Sequence, residues 1–278
     1  MWRTLAAGVV RQYRPKLKEV NLSERQYEVA VSGGAELVGL RAKVHHQLRH
    51  WLITLDCTNA FNTVRRAAIL EEVVIRTLRL TPFVAKSYGE KPADIILQMD
   101  TGERRKISSN TGIHQGNGLG PALFCMPVGP ILRKCREQFE ALGVELLAYL
   151  DDLVLAMGEL REENLRAIHF LTKELVRIGV QNNNAKTKAV APMNHIPTER
   201  EIAALAAMGI SVAEGGGAAV VGIPIGADAF VQQRAVTEAK EKGAEHLACL
   251  LAHMPDKQAA MLIATKSRVL KTCVLERG

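Results

Sequence analysis

Two adjacent carboxylates, Asp151 and Asp152, interrupt the run Ala148-Tyr149-Leu150-Asp151-Asp152-Leu153-Val154-Leu155, which is otherwise apolar. A stretch of that composition belongs in a protein interior, where an ionised carboxylate is costly unless a cation or strong hydrogen bonds compensate it. The pair therefore marks a place to which positive charge is drawn. A third acid, Asp56, ends a second apolar run, Trp51-Leu52-Ile53-Thr54-Leu55. Oxygen donors of this kind suit a hard divalent cation, Mg²⁺ or Mn²⁺, which takes only a few of its ligands from protein. Read singly, each Asp is a loop acid, an Asx-turn or a helix cap. Caps do not explain a pair embedded in apolar strands.

The elements that must position these acids follow from the hydrophobic pattern. Val144 to Tyr149 and Leu153 to Met157 have the length and content of buried strands, which predicts a hairpin with Asp151 and Asp152 at or beside its turn. Successive strand side chains point to opposite faces, so one acid binds an ion directly while the other supports it. Trp51 to Leu55 is a further strand. From Glu36 to Arg49 the apolar positions Leu37, Leu40, Val44 and Leu48 recur at helical spacing, and Asn62 is placed to cap a second helix with Ile69, Val73 and Leu78 on its buried side. Residues 94–108 read as a hairpin around Gly102, and the Gly-rich loop after it opens a helix near Pro121 that Pro127 and Pro130 should bend. Glu162 to Ile178 is amphipathic through Leu165, Ile168, Leu171, Leu175 and Ile178, with Gly179 placed to end it. The Gly-rich segment 213–222 reads as a joint, and the chain from Asp228 onward as two helices separated by Pro255. Helices alternating with hairpins argue for an α+β fold, with helices packed on one face of an antiparallel sheet.

Composition narrows the class. With 278 residues, 47% hydrophobic and 23% charged, the chain buries a substantial core and is not disordered as a whole. A net charge of +7 favours a polyanionic partner, because Lys and Arg release counterions from phosphates. The cysteines Cys57, Cys125, Cys135, Cys249 and Cys273 are scattered and form no C-x-x-C pair, which argues against a zinc site or a disulfide framework. The histidines, His45, His46 and His114 among them, show no H-E-x-x-H spacing. No apolar run approaches membrane-spanning length, so a soluble intracellular protein with reduced thiols and no membrane partner is expected.

Five short patterns occur in order: Asp56-x-x-x-Ala60-Phe61-Asn62, Gln115-Gly116-x-x-Leu119-Gly120-Pro121, Tyr149-x-Asp151-Asp152, Asn183-x-x-Lys186-Thr187 and Gly222-Ile223-Pro224-Ile225-Gly226. Together they resemble the ordered motifs of reverse transcriptases, in particular those of non-long-terminal-repeat retrotransposons. The resemblance implies a polymerase palm-type sheet and a short helical thumb segment. Residues 1–34 would be partial fingers and N-terminal segment, 35–226 the fingers and palm core, and 227–278 a partial thumb.

It also implies an activity, RNA-directed DNA synthesis, in which dNTPs join a DNA primer 3′ end on an RNA template by two-metal phosphoryl transfer. Asp56 and Asp151 would bridge the metal ions, with Asp152 as supporting ligand. Phe61 would crowd the sugar 2′ carbon and exclude ribonucleotides; an aromatic in an apolar segment is otherwise plain core. Gln115 and Gly116 would contact the incoming nucleotide and template, although the family usually carries an acid and a proline where this chain has Asn117 and Gly118. Lys186 would serve the leaving pyrophosphate, against the alternative of a solvated surface lysine. Gly222, Ile223, Pro224 and Gly226 would steady the primer end, and a tight β-turn accounts for the same glycines. Arg104, Arg105 and Lys106 reach a nucleic-acid backbone or form a solvated face.

Such enzymes normally carry more fingers before this region and a longer thumb after it, and no endonuclease or RNase H segment is recognisable, so further segments of a longer polyprotein are expected. Two other readings stay open. One is a truncated, catalytically inactive remnant that at most binds nucleic acid. The other is a two-metal cyclase or nuclease, which fits Asp56 and Asp151 but not the Gln115 and Gly222 motifs.

Overall fold

The structure, a computed structural model, describes residues 2–29, 31–89, 93–114, 116–234 and 236–237. Helix α1 (Trp2–Ser23) is followed by α2 (Gly34–Gln47), strand β1 (Trp51–Leu55) and the short β2 (Cys57–Thr58). Next come α3 (Ala60–Thr63), α4 (Arg66–Arg76), α5 (Thr81–Tyr88) and a hairpin of β3 (Ala93–Gln98) with β4 (Arg104–Ser109). The long α6 (Gly120–Phe139) leads to the hairpin of β5 (Val144–Tyr149) and β6 (Asp152–Met157). After it lie α7 (Glu162–Arg177), β7 (Gln181–Asn182), β8 (Lys188–Val190), α8 (Glu199–Ala206) and β9 (Ser211–Val212). A hairpin of β10 (Gly217–Val220) and β11 (Ile223–Gly226) follows, and residues 228–234 are helical.

Five strands form one sheet in the order β5-β6-β1-β8-β9, antiparallel except for the β8–β9 pair. The architecture is α+β, as the sequence predicts. Strand β1 lies at the centre, and its side chains alternate between two cores. Trp51, Ile53 and Leu55 join Leu146, Leu153 and Leu155 under α6 and α7, where Leu123, Phe124 and Leu171 meet them. Leu52 joins Leu147, Val154 and Val190 on the opposite face, which α2 and the β10–β11 hairpin cover through Val38, Ala42, Val220 and Ile225. A sheet covered on both sides buries nearly every strand position, and each fully buried large apolar side chain contributes about 1.5–3 kcal/mol. Helix α6 is buried on most of its circumference and runs continuously through Pro127 and Pro130.

The segment between α1 and α2 is fastened by charge. The nearly buried Glu24 carboxylate accepts hydrogen bonds from Arg76 of α4 and Arg133 of α6, and Arg136 lies 3.6 Å from its second oxygen. Arg136 also donates to the Glu24 carbonyl at 2.9 Å.

Four expectations need correction or bounding. The helix over 34–47 exists, but Leu37, Val44 and Leu48 of its apolar stripe are 41%, 51% and 62% exposed. Val38, Gly39, Ala42 and His46 face the core instead. The reason is a close approach: a Cβ at residue 39 would stand 2.3 Å from Ile223 Cδ1, so only glycine lets the β10–β11 hairpin seat there. Asn62 does not cap the following helix; it lies within α3, and α4 starts after Arg65 without a side-chain cap. Ile69 and Val73 are buried as expected, whereas Leu78 is 67% exposed. Residues 213–222 are not a loose joint, because they carry β10 and the turn that pairs it with β11. A Cβ at Gly226 would meet the Gly216 carbonyl at 2.3 Å, so glycine there serves strand contact rather than looseness. The two helices around Pro255, and the thumb segment beyond residue 237, lie outside the described residues.

Candidate active site

Register brings the acids together. In the β5–β6 hairpin Tyr149 pairs with Asp152, which leaves Leu150 and Asp151 as a two-residue turn. In the β1–β6 ladder Leu55 pairs with Leu153, so the next position, Asp56, runs alongside Asp152. The β1–β8 ladder, in which Thr54 pairs with Lys188, carries residue 186 to the same end of the sheet. Asp56, Asp151, Asp152 and Lys186 therefore share one edge although up to 130 positions separate them in the chain.

Their electrostatics agree. Burial holds the Asp151 carboxyl above its ordinary pKa, with the charge of Asp56 adding to the rise and the Asp151 backbone N–H opposing it. Burial likewise raises Asp152, and Asp151 and Asp56 add to it. Cys57 stands among all three, its thiol pushed up to about 12 by burial first and then by Asp151, Asp56 and Asp152. Lys186 is exposed at the end of the turn that its N–H closes on the Asn183 carbonyl at 3.1 Å. The donor set, three carboxylates of which Asp151 and Asp152 are raised by burial and by the charge of Asp56, fits a hard divalent cation. Among the described residues no three acidic, histidine or cysteine side chains already form a closed metal cage.

Main-chain supports fix the Asp56 end. The Asp56 N–H donates to Thr187 Oγ1 at 3.4 Å, that hydroxyl donates to Asn182 Oδ1 at 2.8 Å, and the Asn183 N–H donates to the Asp56 carbonyl at 2.7 Å. Thr187 is fully buried. It stands in one of the recognised motifs, but nothing in the pattern of apolar residues signals its contact with Asp56.

Phe61, at the end of the first turn after Asp56, is half-buried and stacks on Phe124 of α6 with ring centroids 4.6 Å apart. Gln115 lies outside the described residues. Gly116 beside it is exposed, with φ +79°. The rest of that loop is anchored by polar contacts that the sequence reading missed. Asn117 donates to Tyr88 Oη at 2.6 Å and accepts from the Leu119 N–H at 3.0 Å, and the His114 N–H donates to the same Oη at 3.3 Å. Arg66 packs over the Tyr88 ring and donates to the carbonyls of Gly112 and Ser109. Asn117 thus supplies a donor where an ionised acid would offer none.

Gly222 turns the β10–β11 hairpin together with Val221, both at positive φ, as a two-residue loop of primed type demands. Ile223 seats against Gly39, and Pro224 is buried. Tyr149, which precedes the acidic turn, packs against the same core as Val221 and Ile223, so the hairpin borders the acid-bearing end of the sheet.

The profile of the reverse transcriptase (RNA-dependent DNA polymerase) family matches residues 6–226. The chain belongs to the reverse transcriptase family. It is 28% identical over 200 residues to the retrotransposable element SLACS 132 kDa protein of Trypanosoma brucei gambiense, a match covering 68% of this chain and 16% of that protein. The chain spans only a small part of that relative. Among solved structures, apo telomerase from Candida tropicalis truncated from its C-terminal domain superposes with a TM-score of 0.57 at 15% identity, over 81% of this chain and 44% of that one. Telomerase from Candida albicans in complex with a TWJ fragment of telomeric RNA gives 0.56 at 9% identity, over 78% and 37%. Those two likenesses establish the fold. Reverse transcriptases generally use divalent metal ions, and no helix among the described residues is long and apolar enough to cross a membrane.

Proposed function

We propose that this chain is the catalytic core of an RNA-directed DNA polymerase, extending a DNA primer with dNTPs along an RNA template. The observation that carries the reading is the convergence of three carboxylates at one end of the sheet, where burial and the charge of Asp56 raise both Asp151 and Asp152. A fold that brings acids together at that cost has a cation in view. Asp56 and Asp151 would hold divalent ions, Mg²⁺ or Mn²⁺, and Asp152 would support them. Such ions, when bound, neutralise charge around the α-phosphate and the departing pyrophosphate.

The chain's own groups do the remaining work in this reading. Phe61 borders the sugar, its ring braced by Phe124. Gln115 and Gly116 face nucleotide and template, and the anchoring of their loop through Asn117, Tyr88 and Arg66 gives them a fixed base. Lys186 supplies positive charge or a proton to the pyrophosphate from the adjoining turn. Gly222, Ile223, Pro224 and Gly226 steady the primer terminus. Residues 35–226 are then fingers and palm, preceded by an N-terminal segment and followed by the start of a thumb.

Primer extension on poly(rA)·oligo(dT) tests the proposal, with omission of Mg²⁺ and Asp56→Ala as controls. Metal-dependent incorporation that both controls abolish is the expected result. Template binding without incorporation would instead identify a catalytically inactive remnant, and dNTP turnover without template a cyclase.

A further inference from the structure

We infer that Gln26 is a positioning residue for Asp151, holding the strained turn that presents this carboxylate; the inference rests on the polymerase reading above. Leu150 and Asp151 alone connect β5 to β6, and Leu150 has φ +56°. Two-residue hairpin turns put Gly, Asn or Asp at such a position. A side chain like leucine's is sterically strained in left-handed backbone and persists only where the surroundings over-determine it.

Gln26 does the over-determining. Its Oε1 accepts from the Leu150 N–H at 3.2 Å and its Nε2 donates to the Leu150 carbonyl at 3.4 Å. The side-chain amide thus mirrors the peptide group, one donor and one acceptor against one acceptor and one donor. The Leu150 carbonyl belongs to the peptide plane that leads into Asp151, so fixing that oxygen fixes the direction in which the next Cα–Cβ bond leaves.

The clamp is itself rigid. Gln26 has no exposed surface and bridges Ala148 in parallel, and its N–H donates to the Asn21 carbonyl at 3.0 Å. Glu24, two residues earlier, is fastened to α4 and α6 by its arginines. The N-terminal segment therefore reaches the acidic turn as an anchored arm, across 124 positions of sequence.

Gln26→Met keeps length and removes both hydrogen bonds. In primer extension it is expected to lower kcat about 100-fold while the dNTP KM stays within about twofold, the signature of lost alignment rather than lost binding. Leu150→Gly removes the backbone strain that the clamp contains, so adding it to Gln26→Met should restore about tenfold. Amide exchange reads the contact without any turnover: the Leu150 N–H should be protected in the parent and exposed in a folded Gln26→Met. Unchanged kcat, an equal effect on KM, no rescue by glycine, or unchanged Leu150 exchange would each overturn the inference. Should the parent chain extend no primer, the polymerase reading falls. The clamp is then judged by Leu150 exchange and by Mn²⁺ affinity measured by EPR, which Gln26→Met must weaken if Gln26 aims Asp151 and leave unchanged if it does not.

Discussion

Two partly buried charge clusters stand at opposite poles of compensation. At Glu24 a single carboxylate meets three guanidinium groups, from Arg76, Arg133 and Arg136. At the shared end of the sheet Asp56, Asp151 and Asp152 meet chiefly one another; burial raises both Asp151 and Asp152, Asp56 adds to each, and Asp151 adds to Asp152. The first cluster is complete in the folded chain and fastens three segments. The second is incomplete until something positive arrives. Charge balance thus separates architecture from chemistry within one molecule, on residue types that composition alone treats alike.

Breaking the second cluster should have the largest effect on function. Asp151→Asn is expected to lower the single-turnover rate of primer extension by about 10³-fold or more, since it removes charge that a metal-assisted transition state requires. Its melting temperature should hold or rise, because a repelling carboxylate is gone. Breaking the first cluster should do the opposite. Glu24→Gln leaves the buried Arg136 without its ion pair and Arg76 with Glu72 alone, and should cost about 3–5 kcal/mol in urea unfolding. A stable Glu24→Gln or an unstable Asp151→Asn would erase the contrast.

A smaller effect is expected at the support of Asp56. Thr187→Val strands the Asp56 N–H and the Asn182 oxygen, and should cost about 1–3 kcal/mol of stability in the same unfolding assay, with a reduced kcat.

The smallest sharpens the electrostatics. The Asp151 and Asp152 carboxyls titrate higher in the folded chain than their unfolded value near about 3.9. The folded state therefore binds more protons across that interval, and the metal-free chain loses stability as pH rises from the unfolded value through the raised folded ones. Above that window the penalty is constant. Divalent cation should offset it and Asp151→Asn should flatten it, both readable as melting temperature against pH.

The acidic hairpin was legible because apolar runs on both sides of Asp151 and Asp152 admit few alternatives, and α7 because Ile168, Leu171 and Leu175 repeat cleanly and all are buried. The inward face of α2 was not. Gly39 is chosen by Ile223, more than 180 positions away, and a helical wheel contains no such information. The glycines of 213–222 misled for the same reason, since crowding, as at Gly217 against the Ile225 carbonyl, and looseness call for one residue type. Gln26 and Thr187 escaped because a buried polar side chain is recognised by its partner, and the partners that tie them to the acidic end, the Leu150 and Asp56 peptide groups, carry no signature in sequence.

That last property has a chemical consequence. Gln26 and Thr187 grip amides and carbonyls of the polypeptide backbone rather than the acids themselves. Orientation is thereby imposed from behind, and among the described residues only the Asp151 N–H engages the oxygens in front, whose other lone pairs face whatever ion or substrate comes next.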